Sequence, residues 1–394
     1  MEELLAYLEP AQVNPMNIGV GKQSSLYSKV VSLHQAGTEI LAEDIVIIGV
    51  NESRNSSQPA VENAPNIIRQ YLYGLSAINV KGRIIDAGNI VQTDTPSQTY
   101  KALSDVVSLM LKHEVNLLVL GGTQELTESI YCGYKLSNKE LTTISVIDSH
   151  IDADDELEDF HSLNYLNRLF REDSRLLFDI SLIGYQGYFV DSEKIDRIRN
   201  QNFELLRLGF VRGNYREVEP TLRSSDIVSF DMGAIRSSDS PSNTFPSPNG
   251  LYAEEACQLA RYAGTSDRTS CFGIFEYNPD KDQVKQSALL AAQLAWHFIE
   301  GIMLRKGEIP NAQSDKFKKF IVNSGTPGMD LVFYRSELSD NWWFEIPYST
   351  QGKRIEKFMI PCSPSDYVLA SKQDIPERWL RFFQKVQFLT NSGK

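Results

Sequence analysis

Short β-branched runs, apolar on both faces, recur through most of this chain, with helical patterns between them. They are Ile45–Val50, Arg83–Ala87, Leu117–Leu120, Thr143–Ile147, Leu177–Ile183, Glu204–Leu208, Ile227–Phe230 and Phe272–Phe275. Runs such as VIIG, LLVLGG and SVID do not alternate with polar residues, as expected of strands covered on both sides. About eight such strands separated by helices predict an α/β fold with an open, mostly parallel sheet. Right-handed crossovers place helices on both faces, giving three α/β/α layers.

The pattern changes near Pro310. Residues 1–310 read as the main α/β domain and 311–394 as a C-terminal extension. The extension holds aromatic strand-like pieces, FIVN, LVFYR and WWFEIPY, and ends in the helical PERWLRFFQKVQFL. It reads equally as a small α+β unit or as chain that simply packs on the main sheet. Trp342, Trp343 and Phe344 are either a partner-binding patch or, more commonly for such a cluster, the core of that unit.

Composition narrows the partners. The 394 residues carry a net charge of −12 with no basic cluster, which argues against nucleic acid and anionic membrane. The apolar stretch Ser287 to Leu304 contains His297 and Glu300, so it reads as a packed helix and not as a membrane span. Cys132, Cys257, Cys271 and Cys362 lie far apart with no CxxC, and the N-terminus lacks a signal-peptide pattern. A cytoplasmic protein with reduced thiols is expected.

In open α/β sheets ligands bind beyond the carboxyl ends of the strands. Two acidic turns follow strands here. In SVIDSHIDADD, Asp148, His150 and Asp152 are spaced i, i+2, i+4, so an extended backbone would point all three to one face. One imidazole and two carboxylates suit a divalent metal such as manganese or zinc. In VSFDMG, Asp231 follows an apolar strand. Such aspartates also serve as ordinary turn and cap residues.

Several segments, in order, resemble the ureohydrolase family of arginase, agmatinase and formiminoglutamase. IVIIGVNESRN and ENAPNIIRQYL resemble the first strand and the "GaPxxIR" helix, and IIDAGNI the "DxGD" strand. LVLGGTQE is similar to "LGGxHS", SVIDSHIDADD to "DAHxD", and DIVSFDMGAIRSSDSP to "SxDxDxxDP". PNGLYAEE and FGIFEYNPDKDQVKQSALLAAQL resemble "GGLxxxE" and "EvNPxxDxxxxTaxLaa". The likeness runs roughly over residues 45 to 303 and leaves out the tail. It implies an arginase-like fold, a metal-dependent hydrolase of linear C–N bonds, a small nitrogen-rich substrate and a homo-oligomer.

The family's two manganese ions take six ligand side chains. Asp148, His150, Asp152 and Asp231 match four of these positions, while Gln124 and Gly233 stand where a histidine and an aspartate belong. Gln124 can still offer a neutral amide oxygen, whereas Gly233 offers nothing. Arg236 brings a cation nearby, able to oppose a metal or pair with leftover carboxylates. The resemblance makes Asp152, His161 and Glu255 the catalytic candidates, Glu255 as the residue facing the amidino group and His161 from a loop lacking the family's glycine and proline. Acidifying water at neutral pH draws on both metal charges. Fewer than two manganese ions and weak or absent amidinohydrolase activity are therefore expected. An active hydrolase of a substrate such as formiminoglutamate, or a one-metal hydrolase, are the alternatives.

Overall fold

A computed structural model describes residues 2–35, 37–57, 63–173, 175–243, 245–308, 310, 316–325, 329–349 and 355–392. Residues 311–315, where the expected extension begins, and Glu62 of the ENAPNIIRQYL segment lie outside these. The strands are β1 (Leu8–Glu9), β2 (Val30–Ser32), β3 (Ile45–Gly49), β4 (Ile84–Ile90), β5 (Asn116–Leu120), β6 (Thr142–Ile147) and β7 (Leu177–Tyr185). They continue as β8 (Glu204–Arg207), β9 (Ile227–Asp231), β10 (Cys271–Phe275), β11 (Phe317–Asn323), β12 (Asp330–Ser336), β13 (Trp342–Ser349) and β14 (Ile355–Cys362).

The first ten strands form one sheet in the order β1-β4-β3-β5-β10-β9-β6-β7-β8, with β2 also against β4. All pair in parallel except the short β1. All eight strands expected from sequence are present, within a few residues of their expected ends. The two additions, β1 and β2, are too short to show a pattern. β3, β5, β9 and β10 are buried at every position, and helices cover both faces with two large apolar clusters. The helix Gln286–Met303, built from the apolar Ser287 to Leu304 stretch, packs inside one of them. Among the described residues no helix is long and apolar enough to cross a membrane.

The early motif residues hold this scaffold together. The helix Ala64–Gly74 buries Arg69 completely. Its guanidinium donates to Asn89 Oδ1 at 2.7 Å and to the Gly88 carbonyl at 2.8 Å, and pairs with Asp86 at 3.1 Å. Gly121 and Gly122 turn the chain with φ of +80° and +75°, and a Cβ on Gly121 would lie 2.6 Å from Pro65. Only glycine accepts both the dihedral and that close approach.

β11 to β14 form a separate antiparallel sheet in sequential order. It has its own apolar cluster, including Trp342, Phe344, Trp379 and Phe382, which also takes in Phe178 of β7. The aromatic run at 342–344 is therefore core, with the Arg223 guanidinium 4.4 Å over the Trp343 ring. β14 went unrecognised because IEKFMIPC carries only a broken alternation. The final helix, Glu377–Ser392, docks through buried charge. Asp179 of β7 meets Arg381 at 2.7 Å and Lys385 at 2.5 Å. Burial opposes ionisation of Asp179, but these two cations hold its carboxyl below the usual range.

Candidate metal centre

Four neighbouring parallel strands, β5, β10, β9 and β6, end at the same level. The register aligns Ile274 with Leu120, Phe275 with Asp231 and Ile147 with Phe230. The next residues in chain order supply Gln124 and Glu125 after β5, Glu276 after β10 and Asp148 after β6, while Asp231 ends β9. Segments far apart in sequence thus converge at one carboxyl edge.

Asp148, Asp152 and Asp231 are buried, and one oxygen from each lies within 4.8 Å of the others. They line a cavity of about 230 Å³ with His150, Gly233, Asn243, Phe245 and Glu276. Asp148 Oδ1 accepts the His150 N–H at 3.1 Å, and Asp231 Oδ1 accepts the Gly233 N–H at 2.5 Å. Burial, aided by neighbouring carboxylates, pushes Asp152 and Asp231 well above the usual carboxylate range, and burial raises Asp148 too. Glu276 is raised to about 8, first by burial and then by Glu125. Glu125, likewise buried, is raised to about 7 although Thr123 and Tyr100 donate to it at 2.8 and 3.0 Å. So many buried carboxylates require protons or a cation to offset their mutual repulsion.

The oxygen donors suit a hard divalent ion. Gln124 is fully buried, and its amide nitrogen donates to Ser229 Oγ at 3.2 Å. Its Oε1 has no hydrogen-bond partner among the described residues. This orphaned amide oxygen belongs to a residue whose backbone N–H holds Glu276 of the cavity lining, and amide and carboxylate oxygens are the ligands that manganese or magnesium takes.

His150 lines the cavity without joining the three-aspartate cluster. The chain bends after Asp148 and does not stay extended as expected. The imidazole stacks on Phe189, centroids 4.4 Å apart, and its Nδ1 lies 2.9 Å from Ser149 Oγ. His161 sits beside the cleft lining, its Nδ1 accepting the Leu163 N–H at 3.1 Å, and burial lowers its pKa. Glu255 is not brought to the cleft. It closes the capping box of the helix Ala253–Thr265, accepting the Tyr252 N–H at 2.8 Å, and approaches Arg212 at 3.4 Å. Arg236 also points elsewhere: it pairs with Asp239 at 2.9 Å and lies 4.0 Å over the Tyr252 ring.

Sequence reasoning missed Glu276, Asn243 and Tyr165. Glu276 carried a usable signal, an acid directly after an apolar strand, the same signal that marked Asp231. The Tyr165 hydroxyl is buried without a partner among the described residues, close enough to Asp152, Asp148 and Asp231 to feel their charge. A larger cleft of about 860 Å³ opens at the opposite strand ends. Its carboxylates are engaged: Asp226 by Lys139 and Arg268, Glu219 by Arg223, Asp267 by the Gly307 and Glu308 N–H groups and Glu308 by Ser336 and Ser339.

A model of the arginase family matches residues 43–300. The formimidoylglutamase of Lysinibacillus sphaericus is 23% identical over 266 residues, covering 64% of this chain and 82% of that protein. That of Staphylococcus aureus is 25% identical over 256 residues, covering 62% and 81%. Among solved structures, formiminoglutamase of Trypanosoma cruzi with manganese superposes with a TM-score of 0.61 at 23% identity, covering 67% of this chain and 95% of that one. Formimidoylglutamase of Bacillus subtilis gives 0.64 at 19% identity, covering 77% and 98%.

Proposed function

Because the chain belongs to the arginase family, we propose that it keeps a formiminoglutamase-like hydrolase scaffold with a centre for one divalent cation and weak or absent activity on amidino or formimino C–N bonds. The observation that carries this reading is the buried cluster of Asp148, Asp152 and Asp231; the buried Gln124 Oε1, without a hydrogen-bond partner among the described residues, and the missing side chain at Gly233 support it. Manganese is the ion of choice, since the matching Trypanosoma cruzi structure holds it and the donors are oxygens.

The three aspartates and Gln124 would hold the ion, which supplies Lewis acidity and positive charge beside the reacting carbon. Glu276 presents a carboxyl to the cleft, held in place by the Gln124 N–H, and suits the N–H groups of a nitrogen-rich substrate. His150 and Phe245 wall the opening. A single cation acidifies water less than a pair, which accounts for the weak activity. The four unpaired cysteines suit a reducing, cytoplasmic setting.

A second reading, an active hydrolase of formiminoglutamate, draws on the formimidoylglutamase relatives and on Glu276 lying in the cleft. One experiment separates the two: elemental analysis of the purified protein, with urea and formamide release measured from arginine, agmatine and formiminoglutamate. Fewer than two manganese ions per chain and slow turnover are expected. Two tightly held ions with fast turnover of formiminoglutamate would establish the second reading instead.

A further inference from the structure

We propose that Asn243 restricts the centre to a single cation by filling, with a hydrogen-bond donor, the space a second ion's carboxylate ligand would need. The inference rests on the one-cation reading above and gives it a physical cause that lies outside the motif residues.

Gly233 follows the Asp231 strand end by two residues, and Asp231 Oδ1 accepts its N–H at 2.5 Å. A Cβ built on Gly233 would lie 2.1 Å from Asn243 Nδ2, 3.1 Å from Asn243 Cγ and 3.0 Å from Asp231 Oδ1. The Asn243 amide therefore already stands where a side chain at 233 would begin. It is held there: Asn243 is 8% exposed, and its Oδ1 accepts the Phe245 N–H at 2.7 Å. That bond assigns the two amide atoms, with oxygen toward Phe245 and the NH₂ group toward Gly233. An N–H donor repels a cation and cannot ligate one. A side chain placed at 233 must displace the end of this buried amide, a movement that its bond to Phe245 opposes; with the amide in place, an acid restored at 233 does not by itself restore a second site.

Asn243 has a direct chemical counter-test. Asn243→Asp is isosteric and keeps an acceptor for Phe245, while an oxygen replaces Nδ2 beside Asp231. The experiment loads parent, Gly233→Asp, Asn243→Ala, Asn243→Asp and the Gly233→Asp/Asn243→Ala double variant with manganese. After desalting, ions per chain are counted by elemental analysis and magnetic coupling between ions is read by EPR. Parent, Gly233→Asp and Asn243→Ala are expected to retain one uncoupled ion. The double variant and Asn243→Asp are expected to gain a second, with the spectrum of a coupled pair. Two ions in Gly233→Asp alone would overturn the role of Asn243, because the amide would then yield freely. So would an Asn243→Asp variant that folds normally yet holds no more manganese than the parent. The parent count tests the one-cation reading separately: no bound ion would sink that reading, while the gain of the double variant over Gly233→Asp would still read out Asn243. Two ions in the parent would overturn both.

Discussion

The backbone N–H of Gln124 donates to the Glu276 carboxylate at 2.8 Å, joining two turns 152 residues apart. The bond locks the β5 and β10 turns together at the carboxyl edge. It uses main chain, so it is indifferent to the side chain at 124. The Gln124 side chain is thus free to face Ser229 while its backbone positions the acid that lines the cleft.

The acid cluster sets a pH dependence for the cation-free protein. Glu276 titrates near 8 in the fold against 4.5 for an ordinary glutamate, and Glu125 near 7. Between those limits the folded protein binds more protons than the unfolded chain, so its stability falls as pH rises from about 4.5 through about 8. A melting temperature lower by several degrees at about pH 8 than at about pH 5 is expected after chelation, since each kcal/mol is worth roughly 1–2 °C in a chain of this size. Glu276→Gln should flatten the slope, and added manganese should stabilise more at the higher pH, where protons compete less. A melting temperature that holds level or climbs across this window would contradict the cluster's protonation.

Gln124 and His150 should contribute unequally to the first ion. Gln124→Ala removes the orphaned amide oxygen and is expected to weaken manganese binding by roughly tenfold or more, within the range seen when groups supporting a metal are lost. His150→Ala removes a ring stacked on Phe189 and outside the aspartate cluster, and should change affinity less. Calorimetric titration of both variants decides this. A larger loss in His150→Ala would mean the imidazole turns inward to ligate.

Glu255 should behave as a helix cap. Glu255→Ala removes the acceptor of the Tyr252 N–H and is expected to cost about 1 kcal/mol of stability. Manganese stoichiometry should stay at the parent value. A metal count that drops in a well-folded Glu255→Ala protein would place the residue at the centre after all.

The tail is tied down by charge. Asp179→Asn leaves the buried Lys385 without the carboxylate it pairs with and Arg381 with Glu204 alone, a defect worth roughly 3–5 kcal/mol. Denaturant unfolding should show that loss, and limited proteolysis should cut the Glu377–Ser392 helix faster than in the parent. Unchanged stability would mean that Glu204, 3.5 Å from Arg381, suffices as the partner.

What the sequence determined by itself was the eight longer strands of the main sheet and the aspartates Asp148 and Asp231 at the ends of two of them. Apolar runs buried on both faces leave a local signature, and an aspartate after such a run sits at a strand's carboxyl end wherever that strand goes. The family motifs added the order of the turns and exposed the substitutions at Gln124 and Gly233. Neighbours in space were not legible, because strand order is a property of the whole sheet. Inserting β10 between β5 and β9 brings Glu276 beside Asp231 and Asp148, and no local pattern records that placement. Side-chain direction was equally hidden. Arg236 turns to Asp239 and Tyr252, Glu255 to the start of its own helix, and His150 to Phe189. Each follows the nearest favourable partner in three dimensions, and for Asn243 that partner arrangement leaves its amide in the space opened by a glycine ten positions earlier.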